Sequence, residues 1–133
     1  MVYKVLNILK QKLNDPLVEL SGPSKDKHSL SLIFIEEKNT FRDLPVLKTD
    51  TPEIRLNLYI LISAYTVNYE NALKFISKVI SYFHANPVFA DENITIELFT
   101  PTFEQHFQIW GTLKEAYRPS VMYKVRVAQA ETE

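Results

Sequence analysis

The chain has 133 residues, 46% hydrophobic and 23% charged, with a net charge of −1 and no cysteine. That length fits a single domain with a self-sufficient core. The composition excludes disulfides, thiol catalysis and cysteine-ligated metals, and the interleaved charges leave no basic stripe for nucleic acid.

Residues 2–13 place Val2, Val5, Leu6, Leu9 and Leu13 at helical spacing, with Lys4, Lys10 and Lys12 opposite. These lysines and Asn7 interrupt any signal-peptide core, and Asp15-Pro16 ends the helix. Residues 17–20 form a short, weak strand candidate. A turn at Ser21-Gly22-Pro23-Ser24 leads to an alternating segment, 29–36, and the two pieces suggest a hairpin. In that segment Leu30, Leu32 and Phe34 share one face and Ile33 and Ile35 the other, so the strand is expected to become covered on both sides toward its end.

Residues 37–52 show no periodicity and contain Pro45 and Pro52. Long irregular loops in compact domains are often functional. Residues 53–65 are the strongest strand, with Ile54, Leu56, Leu58, Ile60 and Ile62 on one face and Arg55, Asn57, Tyr59, Leu61 and Ser63 on the other. The second face also turns apolar in mid-strand, which predicts a central position. The longest apolar run, 58–65, falls far short of the roughly 18 residues that cross a membrane.

Asn68 is a candidate N-cap, with Val67 and Ala72 at staple positions. Ala72, Leu73, Ile76, Val79, Ile80 and Phe83 form the predicted buried stripe of the helix it opens, and Asn86-Pro87 stops it. Residues 94–99 alternate as a strand. Thr102 and Gln105 form a capping-box pattern, and Phe103, Phe107, Trp110 and Leu113 line one face of the third helix. Gly111 in mid-helix, where glycine costs about 1 kcal/mol relative to alanine, suggests close backbone packing. Pro119 ends the element, and 121–128 alternates as a last strand.

The expected fold is therefore a mixed α/β domain over residues 1–128, a sheet of four to five strands with three helices, followed by a short polar tail, 129–133. Helices of crossover length between the last three strands favour parallel neighbours.

No catalytic constellation emerges. His28, His84 and His106 lack metal spacing and read as surface or capping residues. Glu36 and Glu37 are adjacent strand residues, which point to opposite faces and read as a solvated strand end. With two glycines there is no GxGxxG and no P-loop, and no GxSxG elbow accompanies the serines. Phe103, Phe107 and Trp110 could stack bases, but their helical spacing beside Leu113 favours a core role. Tyr59, Tyr65, Tyr69, Tyr82, Tyr117 and Tyr123 stand out, several of them on the more polar sides of their elements, which fits amphipathic packing or a subunit interface.

Two long phrases carry more. NLYILISAYTVNYENALKFISKVISYF and FTPTFEQHFQIWGTLKEAYRPSVMYKVRV closely resemble the N-terminal domain of the cap, or tail-terminator, protein of contractile injection systems. LNILKQKLN and LSLIFIEEKNTFRD extend the resemblance over most of the chain. It implies a structural, non-enzymatic subunit without cofactors or metal. Such a subunit would form a homo-oligomeric ring, expected to be hexameric, on the end of the inner tube. It would stop tube growth and help tie the tube to the sheath protein. It also implies assembly in the bacterial cytoplasm, with release on an extracellular particle in some systems, and no nucleic-acid or membrane partner.

Larger family members carry a further region after the YKVRV strand. The expectation therefore stays open between a sheath-locking cap, a tube-only cap and one of several terminator paralogues. A non-ring adaptor of the same machine, or of a type VI secretion-like one, is the alternative, and a small α/β enzyme is the reading from another class. The expected interface residues are Glu37, Phe41, Arg42 and Lys48 in the long loop, and Tyr117 and Arg118 before the last strand.

Overall fold

A computed structural model describes residues 1–23, 26–38, 53–65 and 67–130. Helix α1 is Val2–Leu13. It leads to strands β1 (Val18–Leu20), β2 (His28–Glu37) and β3 (Glu53–Ser63). Helix α2 (Tyr69–Ala85) follows, then β4 (Val88–Phe89), a single 3-10 turn (Ala90–Glu92) and β5 (Ile94–Phe99). Helix α3 (Phe103–Leu113) and strand β6 (Ser120–Ala130) complete the described chain. The six strands form one mixed sheet in the order β1-β2-β3-β6-β5-β4, one strand more than the upper expectation because of the two-residue β4.

Strand β3 is central, as its two apolar faces predict, with β2 and β6 both antiparallel to it. The expected parallel neighbours are absent. Strand β5 is also antiparallel to β6. The α2 crossover runs between β3 and β5, which point the same way, but it leaves one slot between them. The last strand fills that slot, returned there by α3. Helix length thus correctly signals long connections, while the order of filling is a tertiary matter.

The expected hairpin at the other edge is also corrected. Strand β1 pairs with β2 in parallel, Val18 opposite His28 and Leu20 opposite Leu30. Three bonds hold this edge: Ser21 N–H donates to the Leu30 carbonyl (3.2 Å), His28 N–H to the Leu17 carbonyl (2.9 Å), and the Ser31 hydroxyl to the Ser21 carbonyl (2.5 Å).

Helices α1 and α2 cover one face of the sheet. Val5, Leu9 and Leu13 from α1, and Ala72, Phe75, Val79 and Phe83 from α2, close over Leu58, Ile60, Ile62, Tyr123 and Val125. Each large side chain so buried contributes on the order of 1.5–3 kcal/mol. The α2 stripe runs 72-75-79-83, so Phe75 turns inward, whereas Leu73 and Ile80 lie on its shoulders and are exposed. Asn68 caps α2 as expected, its side chain accepting from Asn71 N–H at 3.1 Å. Val67 is exposed, so no staple forms. Burial pushes the Tyr123 hydroxyl up to about 12.

His28 is not a surface residue. It is buried, its ring stacked on Phe75 at 3.7 Å, and its Nδ1 accepts from Tyr65 N–H at 2.7 Å. Burial lowers its pKa from the ordinary histidine value, with Asp15 pulling it up and Lys78 pulling it down.

Candidate protein-interaction face

Among the described residues, the opposite face of the sheet is only partly covered. Helix α3 lies over one end of it, where Trp110 packs with Leu61 and Met122, flanked by Ile109, Leu113, Phe99 and Tyr59. The helix starts as the sequence dictates. The Thr102 hydroxyl accepts from Gln105 N–H and the Gln105 side chain accepts from Thr102 N–H, both at 3.1 Å, completing the capping box. It ends less favourably, at Lys114 with φ 57°, a left-handed conformation that costs a non-glycine residue roughly 1–2 kcal/mol.

The rest of α3 departs from its expected packing. Trp110 is buried at 5% exposure, but Phe103 and Phe107 are 84% and 68% exposed. The inward stripe is Ile109, Trp110 and Leu113, so the assignment of Phe103 and Phe107 to the core fails. Gly111 marks no close approach, since a Cβ built there would meet nothing within 4 Å. Both errors have one cause. Apolar residues at 103, 107, 109, 110 and 113 occupy more of the helix circumference than one stripe, and Glu104 is the one charged residue in FEQHFQIWGTL. An apolar excess with so little charge is the signal that a second, outward surface exists.

Strand β2 adds to this surface through a register shift. Leu32 stands opposite Ile60, but Phe34 stands opposite Tyr59, so an irregularity between them inverts the alternation. Phe34 therefore joins Tyr59 on the second face, their rings 5.7 Å apart, instead of sharing a face with Leu30 and Leu32. The strand is buried on both sides at its start and opens toward its end, with Phe34 and Ile35 exposed. This is the reverse of the expected order.

Between α3 and this part of β2 and β3 lies a groove of about 590 Å³, with Ile33, Phe34, Tyr59, Ile109 and Leu113 among its lining residues and no acidic or basic residue among them. At its rim Glu36 accepts from Asn57 Nδ2 (2.8 Å) and the Tyr59 hydroxyl (3.3 Å). The Asn57 bond holds the Glu36 carboxyl below the usual carboxylate range, and burial raises Tyr59. Farther along the face, Arg126 Nη2 donates to Glu97 Oε1 at 2.9 Å.

These polar contacts are satisfied pairs, not a poised acid and base. Among the described residues no group of three or more His, Cys, Asp or Glu side chains could hold a metal. No described helix is long and apolar enough to cross a membrane.

The expected interface residues separate. Glu37 lies exposed at the end of β2. Tyr117, 63% exposed, stands at the foot of α3, its ring 5.5 Å from Trp110 and 5.4 Å from His106. Its neighbour Arg118 is buried at 4%, with Nη2 3.8 Å from Glu115 Oε2. Phe41, Arg42 and Lys48 lie outside the described residues. Tyr3, Phe34, Phe103 and Phe107 are exposed aromatic residues that the sequence does not mark as surface candidates.

The family model described as the Pvc16 N-terminal domain matches residues 5–133. Among solved structures, the chain is similar to the anti-feeding prophage cap, a tube-terminating cap seen by cryo-EM, with a TM-score of 0.70 and 17% identity over 100% of this chain. It is likewise similar to the sheath/tube terminator of an extracellular contractile injection system in its extended state, with a TM-score of 0.71 and 18% identity over 99% of this chain. The chain spans 56% of each of those chains. At these identities the likeness establishes the fold. The comparison with curated proteins gives no match.

Proposed function

The chain belongs to the Pvc16 N-terminal domain family, and from that premise we propose that it serves as a structural cap, or tail-terminator, subunit of a contractile injection system. The observation that carries this reading is the likeness to two tube-terminating proteins over essentially the whole chain. The subunit assembles as a ring, hexameric by analogy, on the end of the inner tube. There it ends tube growth and takes part in holding the last layer of sheath, without catalysis or cofactor. Assembly takes place in the bacterial cytoplasm, and in the extracellular systems the ring leaves with the particle.

The surface supports an assembly role. A ring subunit needs broad contact areas with neighbours, tube and sheath, and few charges at their centres. The described surface carries exposed aromatic side chains around α3 and an uncharged open groove. An enzyme of this size would be expected to place paired titratable groups in its principal concavity. The groove instead mixes apolar side chains with neutral polar ones such as Gln105 and Thr112.

Polymerising tube protein with and without the purified chain tests the reading. A cap shortens the tubes in proportion to its concentration and appears as a ring on one tube end in electron micrographs. Tube lengths that do not respond to any excess of the chain would overturn it. Binding to tube ends as single subunits, without rings, would select the adaptor alternative. We also propose that Glu37 and Tyr117 lie at contacts of the ring, as do Phe41, Arg42 and Lys48. Arg118 contributes by holding the turn before β6.

A further inference from the structure

Helix α3 presents two different unsatisfied surfaces on opposite flanks. Phe103, Phe107 and Gly111 follow at i, i+4 and i+8, which places them on one flank. Gln105, Gln108 and Thr112 lie on the other, and that second flank borders the groove of about 590 Å³. One flank is a projecting apolar wedge and the other is the wall of an apolar slot. From this pairing we infer that α3 is the contact between adjacent copies of this chain, with Phe103 and Phe107 of one copy seated in the groove of the next. The inference deepens the ring reading above and rests on it.

Three observations name a second copy as the occupant. First, every chain carries both halves of the contact, and wedge and groove match in chemistry. The groove has no charged lining residue, and the wedge flank of α3 carries one carboxylate, Glu104, beside Phe103 and Phe107, so closing the contact desolvates little charge. Second, the sizes agree. Side chains at i and i+4 stand about 5–6 Å apart, so the two rings enter as one wedge. The groove lies within the roughly 300–1,000 Å³ that admits a drug-sized apolar body. Third, wedge and groove lie on opposite flanks of α3, so a neighbour seated against one flank does not reach the other. The contact is head-to-tail, and each copy leaves one wedge and one groove free for further neighbours. Such contacts close into a ring when the rotation between copies allows it.

Area separates a pair from a ring. Fully buried aromatic side chains cover about 150–250 Å² each. Two rings at 84% and 68% exposure therefore bring on the order of 300 Å² to one side and a similar area to the other. That total lies well below the ~1,200 Å² of a small stable interface. A single contact is weak, and the stable species is the one in which every copy makes the contact twice.

Two surface variants test this. Phe103→Asp with Phe107→Asp removes the wedge. Gln108→Arg with Thr112→Arg fills the groove. All four positions are exposed, and circular dichroism checks that both variants stay folded. Sedimentation velocity is run on each variant, on their equimolar mixture and on the wild-type chain, alone and with tube protein. Wild type gives a closed oligomer. Each variant alone loses association by about thirtyfold or more, the scale of a hot-spot loss. The mixture regains only a weak one-to-one association, seen as a concentration-dependent shift at the highest concentrations and never as anything larger, since one intact wedge and one intact groove remain between the two proteins.

A wedge variant that still assembles like wild type overturns the inference and leaves the ring reading standing. Variants that keep the ring but fail to bind tube protein also overturn it, by assigning this face to the tube. A wild-type chain that never associates, with or without tube protein, removes the ring reading and this contact with it.

Discussion

The two faces of the central sheet are built from the same strands and end differently. On one, α1 and α2 close a continuous core over Leu58, Ile60, Ile62, Tyr123 and Val125. On the other, α3 shields a small cluster around Leu61, Trp110 and Met122, with the adjoining groove and the aromatic flank of α3 left open by the described residues. The closed face supplies stability. The half-covered face leaves apolar area exposed, which the contact proposed above would use. A helix that serves a contact outside the chain is not selected for its own stability alone. Helix α3 fits this, with a glycine at an open mid-helix position and a lysine where a left-handed cap would favour glycine.

The sharpest way to break the contrast is a pair of large-to-small substitutions. Phe83→Ala on the closed face should cost roughly 3–5 kcal/mol, read from the denaturant midpoint. Phe107→Ala should change the stability of the isolated chain by less than about 0.5 kcal/mol. Comparable losses would mean that α3 belongs to the same closed core.

A smaller effect depends on pH. The His28 pKa is lowered in the fold, so the unfolded chain binds the proton more readily. Stability is then fully present above the ordinary histidine value of about 6.5 and falls as pH drops through that value toward the lowered one. Protonation makes Nδ1 a donor and forfeits the bond from Tyr65 N–H, a loss on the order of 1–3 kcal/mol. Urea melts from pH 7.5 to 5 should show the decline in wild type and a flatter profile in His28→Gln. Equal slopes would place the titration elsewhere.

Next in size is the capping box of α3. Thr102→Ala should cost about 1 kcal/mol, measured by thermal unfolding. The smallest effects have the opposite sign. Gly111→Ala meets open space and should gain up to about 1 kcal/mol. Lys114→Gly relieves a positive φ and, after the entropy cost of glycine is subtracted, should gain about 0.5–1 kcal/mol. Both gains require α3 to be helical in the free chain, and their absence would sharpen the contrast into an α3 that orders only on assembly.

Much of the fold was legible in sequence because local rules decide it. The α1 stripe, the Asn68 cap, the Thr102–Gln105 box and the two-sided apolar character of β3 follow from spacing and donor–acceptor chemistry within a few residues. The long phrases were distinctive enough to carry the family. Two groups of features were not legible. Strand direction and order depend on which strand arrives last to fill the slot between β3 and β5, and no local preference records that. The candidate contact depends on a register shift between Leu32 and Phe34, which moves one aromatic ring across the sheet. It depends also on the angle at which α3 docks, which turns Trp110 inward and Phe103 and Phe107 out. Periodicity states that a residue is apolar and which neighbours share its side. Whether that side meets the core, solvent or another chain is settled by the area each element leaves uncovered once all of them are packed.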